Sequence, residues 1–154
     1  MTSVRGKSEM DLKTSPLYKI NQLLWELDAS FAEYGNTSGQ PRSIRKILYA
    51  ILSEGTSCSL QRVIFATGMS KQTIHSALHK MEDDGYLYFE ALDAKSKLVC
   101  LTERGIQLAQ ETAGRMMKTE QMAFEDWSKE DLENLMALLR KYITSFQAAA
   151  KKNM

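Results

Sequence analysis

Apolar residues recur at helical spacing in six stretches of this chain and give way to strand-like runs between the fourth and fifth. Ser15-Pro16 opens the first helix, a capping hydroxyl followed by proline at the first helical position, where its missing N–H is no loss. Ile20, Leu23, Leu24, Leu27 and Phe31 then share one face until Gly35-Asn36-Thr37-Ser38-Gly39 ends the pattern. Leu17, Trp25 and Tyr34 lie partly off that stripe, so this helix needs more than one neighbour, supplied by a second subunit or by packing within one. A second helix over about 41–53 turns Ile44, Ile47, Leu48 and Ile51 inward and stops at Glu54-Gly55. A short third over 59–66, with Leu60, Val63 and Ile64 inward, leads into the tight turn Thr67-Gly68-Met69. Residues 1–14 are polar, charged and aperiodic, which predicts a disordered arm.

The fourth helix carries the chain's most informative pattern. Ile74, Ala77, Leu78 and Met81 fall on one side, while Gln72, Ser76 and His79 face the other, flanked by Lys71, His75 and Lys80. No acid interrupts that face before Glu82, whereas a merely solvated face usually mixes both signs. After the stop at Asp84-Gly85 come Tyr86-Leu87-Tyr88-Phe89 and Leu98-Val99-Cys100-Leu101, separated by Asp93-Ala94-Lys95-Ser96-Lys97. This predicts two antiparallel strands joined by a basic loop. Helix, glycine-containing turn, helix and then β-ribbon is the order of a winged helix-turn-helix, mainly α with a small β-wing. From Thr102 a long helix runs to about Phe124, with Ile106, Ala109, Ala113, Met116 and Met117 along one side and Gly114 as a weak point inside it. Ser128-Lys129-Glu130-Asp131 forms a capping box with aspartate in place of glutamate. It starts a last helix bearing Leu132, Leu135, Met136, Leu139, Tyr142, Ile143 and Phe146.

Composition narrows the chemistry. The chain has 154 residues, the length of one domain, and 44% are hydrophobic, enough for a sizeable core. No apolar run is long enough for a bilayer and no apolar signal segment follows the first residues, so the reading is a soluble, cytoplasmic chain without a membrane partner. Net charge is only +1, yet between Asn36 and Lys80 six cations (Arg42, Arg45, Lys46, Arg62, Lys71, Lys80) face one acid, Glu54. A nearly neutral protein can still present a basic face. Arg42, Arg45 and Lys46 oppose the macrodipole at the start of the second helix, which leaves contact with an anion or simple solvation to explain them. Two cysteines make no disulfide scaffold. Cys100 in an apolar run reads as an inert thiol; Cys58 sits just before a helix start at Ser59, a position that can lower a thiol pKa, but a redox sensor is the weaker reading for it. His75 and His79 are four apart but have no third ligand and no acid between them, so no metal, cofactor or catalytic group is expected.

Three motifs resemble those of the MarR family of bacterial transcription regulators: the turn Met81-Glu82-Asp83-Asp84-Gly85-Tyr86-Leu87, the wing Asp93-Ala94-Lys95-Ser96-Lys97, and the exit Leu101-Thr102-Glu103-Arg104-Gly105. Lys95 stands where the family usually has an arginine; it keeps the charge but lacks the planar fork that grips a base edge or a narrow groove. The resemblance implies a winged helix-turn-helix over 36–101 and dimerisation helices over 15–35 and 102–150. It also implies a homodimeric, ligand-responsive repressor of a palindromic operator in double-stranded DNA, with a small aromatic or amphipathic acid as effector. The family's organic-peroxide sensors carry their reactive cysteine near the N-terminus, and none precedes Cys58 here. The residues expected to meet DNA are Ser70, Lys71, Gln72, Thr73, Ser76, His79 and Lys80 on the helix, with Lys95 and Lys97 on the wing. Gln72 can bond an adenine edge with both ends of its amide, while Ser70, Lys71 and Thr73 are suited to the backbone. The competing reading is a winged helix that binds protein and never DNA.

Overall fold

The computed structural model describes residues 14–154, so the expected N-terminal arm, Thr14 apart, lies outside the described residues. Two compact units are distinguished, one reaching Met116 and the other spanning Met117–Met154.

The first unit is built around one helix. Helix α1 (Pro16–Asn36) is followed by α2 (Arg42–Glu54), whose Ile47, Leu48 and Ile51 are fully buried. Around them pack Val63 of α3 (Leu60–Thr67), Ile74, Leu78 and Met81 of α4 (Lys71–Asp83), and Leu87 and Val99 of the sheet. Each such side chain withdrawn from water contributes about 1.5–3 kcal/mol, so this cluster holds α2, α3, α4 and the sheet together. Ser59 caps α3 by accepting a hydrogen bond from the Arg62 N–H at 3.2 Å.

The sheet has three antiparallel strands, β1 (Ser57–Ser59), β2 (Leu87–Ala91) and β3 (Lys97–Leu101), in the order β1-β3-β2. Phe89 lies opposite Val99 across one seam and Cys58 opposite Val99 across the other. Strands β2 and β3 fall where the aromatic and β-branched runs predict them. Strand β1, three residues long, has no such run and exists because β3 offers it an edge.

The turn after α4 and the exit from β3 are one junction. Gly85 takes φ +78°, and the Tyr86 N–H donates back to the Met81 carbonyl at 2.9 Å. Thr102 donates from its hydroxyl to the Gly85 carbonyl at 2.7 Å and from its N–H to the Tyr86 carbonyl at 3.0 Å. The same hydroxyl accepts from the Gly105 N–H at 3.1 Å. Arg104 donates to the Asp84 carbonyl at 2.9 Å with its guanidinium 4.9 Å from the Tyr86 ring centroid. At Gly105 a Cβ would run into the Tyr86 carbonyl, which is why the exit carries glycine there.

Beyond this junction the expected single helix is interrupted. Helix α5 (Glu103–Ala109) passes into a π-helical turn, Gln110–Gly114, before α6 (Arg115–Ala123) resumes. Ala109 and Ala113 are buried beside α2, and the Thr112 hydroxyl bonds the Leu108 carbonyl at 2.7 Å.

The second unit holds the rest of α6 and helix α7 (Lys129–Asn153). Phe124 and Trp127 meet edge to face at 5.1 Å in the bend, and Ser128 caps α7 by accepting from the Asp131 N–H at 3.0 Å. Glu130 and Asp131 in its first turn and Lys151 and Lys152 in its last suit the macrodipole. No side chain of α7 is buried; Met136, Leu139, Ile143 and Phe146 face solvent in the single chain. Helix α1 likewise buries only Gly35 and leaves Leu23, Trp25, Leu27 and Phe31 exposed. Among the described residues no helix is long and apolar enough to cross a membrane.

Candidate nucleic-acid interface

Helix α4 begins on a doubly used hydroxyl. Ser70 accepts a hydrogen bond from the Thr73 N–H at 3.1 Å, and its oxygen lies 2.8 Å from the Thr73 hydroxyl. Both side chains remain exposed, but their first task is to fix the start of the helix. Lys71, Gln72, Ser76, His79 and Lys80 are exposed along the rest of the face, and Ile74, Ala77, Leu78 and Met81 are buried on the other. The seven helix residues singled out in the sequence therefore share one solvent face with no carboxylate among them.

That face borders a groove of about 440 Å³ shared with the start of α2. Gln72, Thr73, Ser76 and Lys80 line one wall, Pro41 and Ser43 the other, and no acidic residue lines it. Ser43 is the residue the sequence reading missed; a small polar side chain in the first turn of an otherwise core-facing helix was the available signal.

The wing is ordered by its own aspartate. The Leu92 N–H donates to the Ser96 carbonyl at 3.0 Å, closing the hairpin, and one Asp93 carboxylate oxygen accepts from the Lys95 and Ser96 N–H groups, both at 2.8 Å. The Lys95 backbone bond, followed by those of Ser96, holds the Asp93 carboxyl below the usual carboxylate range. Lys95 is exposed at the tip. Lys97 is exposed on the strand that follows, its ammonium 5.6 Å from the Phe89 ring centroid.

The cations early in α2 have partners within the chain, although Arg42 and its partner stay half exposed and the buried Arg45 Nε has no hydrogen-bond partner. Arg42 pairs with Asp28 of α1 at 2.6 Å, Arg45 donates to the Asn36 side chain at 3.3 Å, and Lys46 reaches the Thr67 carbonyl of α3 at 3.5 Å. Arg62 is engaged by Glu54 at 3.0 Å. The part of the local positive excess that stays unpaired in this region is Lys71 and Lys80, both on α4.

Cys58 corrects a second expectation. It lies within β1, buried, and its thiol pKa is raised by burial first and by the Glu54 carboxylate second, with Arg62 only partly opposing them. A nearby helix start does not make it a reactive thiolate. Cys58 faces Val99 across the seam while Cys100 is the next residue along β3, so the two side chains point to opposite faces of the sheet. His75 and His79 are exposed on α4, and no group of three or more metal-binding side chains occurs among the described residues.

Residues 46–96, from the middle of α2 to the wing tip, match the sequence model of the MarR family. No curated protein sequence matches. Among solved structures, a MarR family regulator from Neisseria meningitidis, NMB1585, aligns with a TM-score of 0.81 over 92% of this chain and 100% of its own, at 16% identity. Bordetella bronchiseptica BpsR, described by the regulation of its DNA binding by 6-hydroxynicotinic acid, aligns at 0.62 over 90% and 99%, with 21% identity. Streptomyces coelicolor PcaV, solved in complex with its natural ligand, aligns at 0.61 over 89% and 97%, with 18% identity. The segment from α2 to the wing, which holds the turn motif and most of the wing motif, matches the MarR family, and the fold is the MarR winged-helix fold.

Proposed function

We propose that this MarR-type winged helix is a sequence-specific, homodimeric DNA-binding transcription regulator, a repressor released from a palindromic operator by a small ligand. The observation that carries the reading is the acid-free face of α4, with its two unpaired lysines, followed directly by a hairpin whose tip presents Lys95. The major groove, about 12 Å wide, admits such a helix. Gln72 would read an adenine, while Lys71, Lys80, Lys95 and Lys97 would hold phosphates and Ser70 and Thr73 would hold the helix start. The exposed apolar faces of α1 and α7 support a dimer, because apolar surface of this extent on two helices of one chain is normally covered. A two-fold axis would set two α4 helices roughly 34 Å apart on half-sites one helical turn apart. BpsR, whose DNA binding is regulated by 6-hydroxynicotinic acid, and PcaV, solved with its natural ligand, share the fold and support an effector, an aromatic acid by analogy with the first. Such a ligand would act by favouring a spacing of the two α4 helices that DNA does not fit, at a coupling of about 1–3 kcal/mol. The site of action is the cytoplasm, where the DNA is.

The test is a mobility-shift titration on promoter fragments with the parent, Gln72→Ala and Lys95→Ala. The parent binds one fragment in preference, Gln72→Ala loses that preference by about 1–3 kcal/mol, and Lys95→Ala weakens all fragments alike. A chain that ignores every duplex at low salt is instead a protein-binding winged helix.

A further inference from the structure

A helix about 10–12 Å across with its side chains fills a groove about 12 Å wide, so whatever flanks an inserted helix must meet the groove's walls, and those walls are sugar-phosphate. The element flanking the outward face of α4 is the first turn of α2, and between them lies the groove of about 440 Å³. Its lining includes Lys80 and Ser76 of α4 and Ser43 of α2, and it contains no carboxylate. Arg42, next to Ser43, is paired with Asp28 of α1. Pro41, the residue before α2, has no side-chain acceptor, and the first turn of the helix carries no acid.

We infer that this groove is a seat for one backbone phosphate of the bound duplex, with Ser43 of α2 and Lys80 of α4 as its ligands from opposite walls. The inference rests on the DNA-binding reading above and extends the interface to α2, an element whose buried side chains are all in the core. Ser43 adds affinity but no sequence preference, since a phosphate contact carries no base information. Its position orients α4: a phosphate clamped between the two helices sets the depth at which Gln72 meets the base edges.

The experiment uses the full chain and measures binding by fluorescence anisotropy to the preferred fragment and to an unrelated duplex of equal length, across a salt series. Ser43→Glu places a carboxylate in the seat, and an acid in the first turn of a helix favours folding, so a loss of binding is not a loss of structure. Ser53→Glu, at the exposed far end of α2, adds the same charge away from the groove. Ser43→Glu is expected to weaken both duplexes tenfold or more and Ser43→Ala both by a few-fold, while Ser53→Glu stays near the parent. Lys80→Gln is expected to flatten the slope of log affinity against log salt by about one. If the parent binds and Ser43→Glu binds as Ser53→Glu does, the phosphate seat is overturned while the DNA-binding reading stands. If Ser43→Glu weakens only the preferred fragment, Ser43 reads bases and the seat is again wrong. If the parent binds no duplex, both fall together.

Discussion

Two glycines in the segment from α5 through the π turn should respond to the same mutation with opposite signs. In an ordinary helix interior Gly→Ala stabilises by up to about 1 kcal/mol, because alanine has less backbone freedom to lose. At Gly114 nothing opposes that gain: a Cβ would sit 3.7 Å from the Ala109 carbonyl and 3.7 Å from a Leu52 methyl, ordinary contact distances. At Gly105 the Cβ would collide with the Tyr86 carbonyl and press on the Leu101 Cβ at 3.3 Å. The Tyr86 peptide cannot move aside cheaply, since its carbonyl accepts from the Thr102 N–H and its N–H donates to the Met81 carbonyl. Overpacking costs about 1–3 kcal/mol, and breaking the Thr102 bond adds about 1 more, so Gly105→Ala should destabilise by roughly 1–3 kcal/mol after the propensity gain is deducted. For a chain of this size 1 kcal/mol moves the melting temperature by about 2–4 °C, so the two variants should melt roughly 5–15 °C apart on either side of the parent. Circular-dichroism melts at one fixed protein concentration, needed because association shifts the midpoint, measure this directly. A Gly105→Ala protein that melts at or above the parent would refute the account of the junction.

Four further outcomes follow from the geometry. Lys95→Ala and Lys97→Ala should each lower the salt dependence of DNA binding by close to one unit of slope, read from anisotropy titrations between low and moderate salt. Leu139→Asp, on the exposed stripe of α7, should convert a dimer to a monomer in light scattering, with the charge unable to enter an apolar interface. The Asp93 carboxyl has a folded pKa below its unfolded value, so its ordering of the wing is present above the usual carboxylate range and lost as pH falls through the folded pKa. Asp93→Ala should show loosened wing amides in NMR at neutral pH while the core melts unchanged. Cys58, buried and with its pKa raised, should react with a thiol reagent at neutral pH far more slowly than in denaturant, and equal rates would contradict its place in β1.

The parts of the fold that were legible are those where local pattern and tertiary need agree. Ile74, Ala77, Leu78 and Met81 are spaced for a helix and are the residues α4 buries, so the opposite face followed by subtraction. Thr102 and Ser128 were readable as caps because each sits before a helical run, and both accept the expected N–H bond; Ser15, read as a cap on the same ground, makes no side-chain bond at the start of α1, where Pro16 alone favours the helix. The candidate interface was legible as a face, since facing is periodicity. Partners were not. Arg42 and Asp28 lie fourteen residues apart and Lys46 and Thr67 twenty-one, and no spacing rule joins them; only the crossing of α1, α2 and α3 does. The groove wall at Ser43 is illegible for the same reason, as it exists only where two helices approach.

The π turn shows how a pattern can be recorded in sequence and still be misread. Gly105, Ala109 and Ala113, all buried, follow one another at intervals of four. Gly105 meets Tyr86 and Leu101, while Ala109 and Ala113 lie in the core with α2, and in an α-helix the step of four between those two alanines overshoots a full turn by about 40°. Hydrogen bonding to the fifth residue widens the turn and takes up the extra rotation. The small side chains of Ala109 and Ala113 let the backbone approach α2, and the widened turn keeps both aimed at it as the helix advances. A spacing of four also occurs on an ordinary helical face, as from Ile74 to Leu78 in α4, so it is the packing against the neighbouring helix, and not the spacing, that decides where the turn widens.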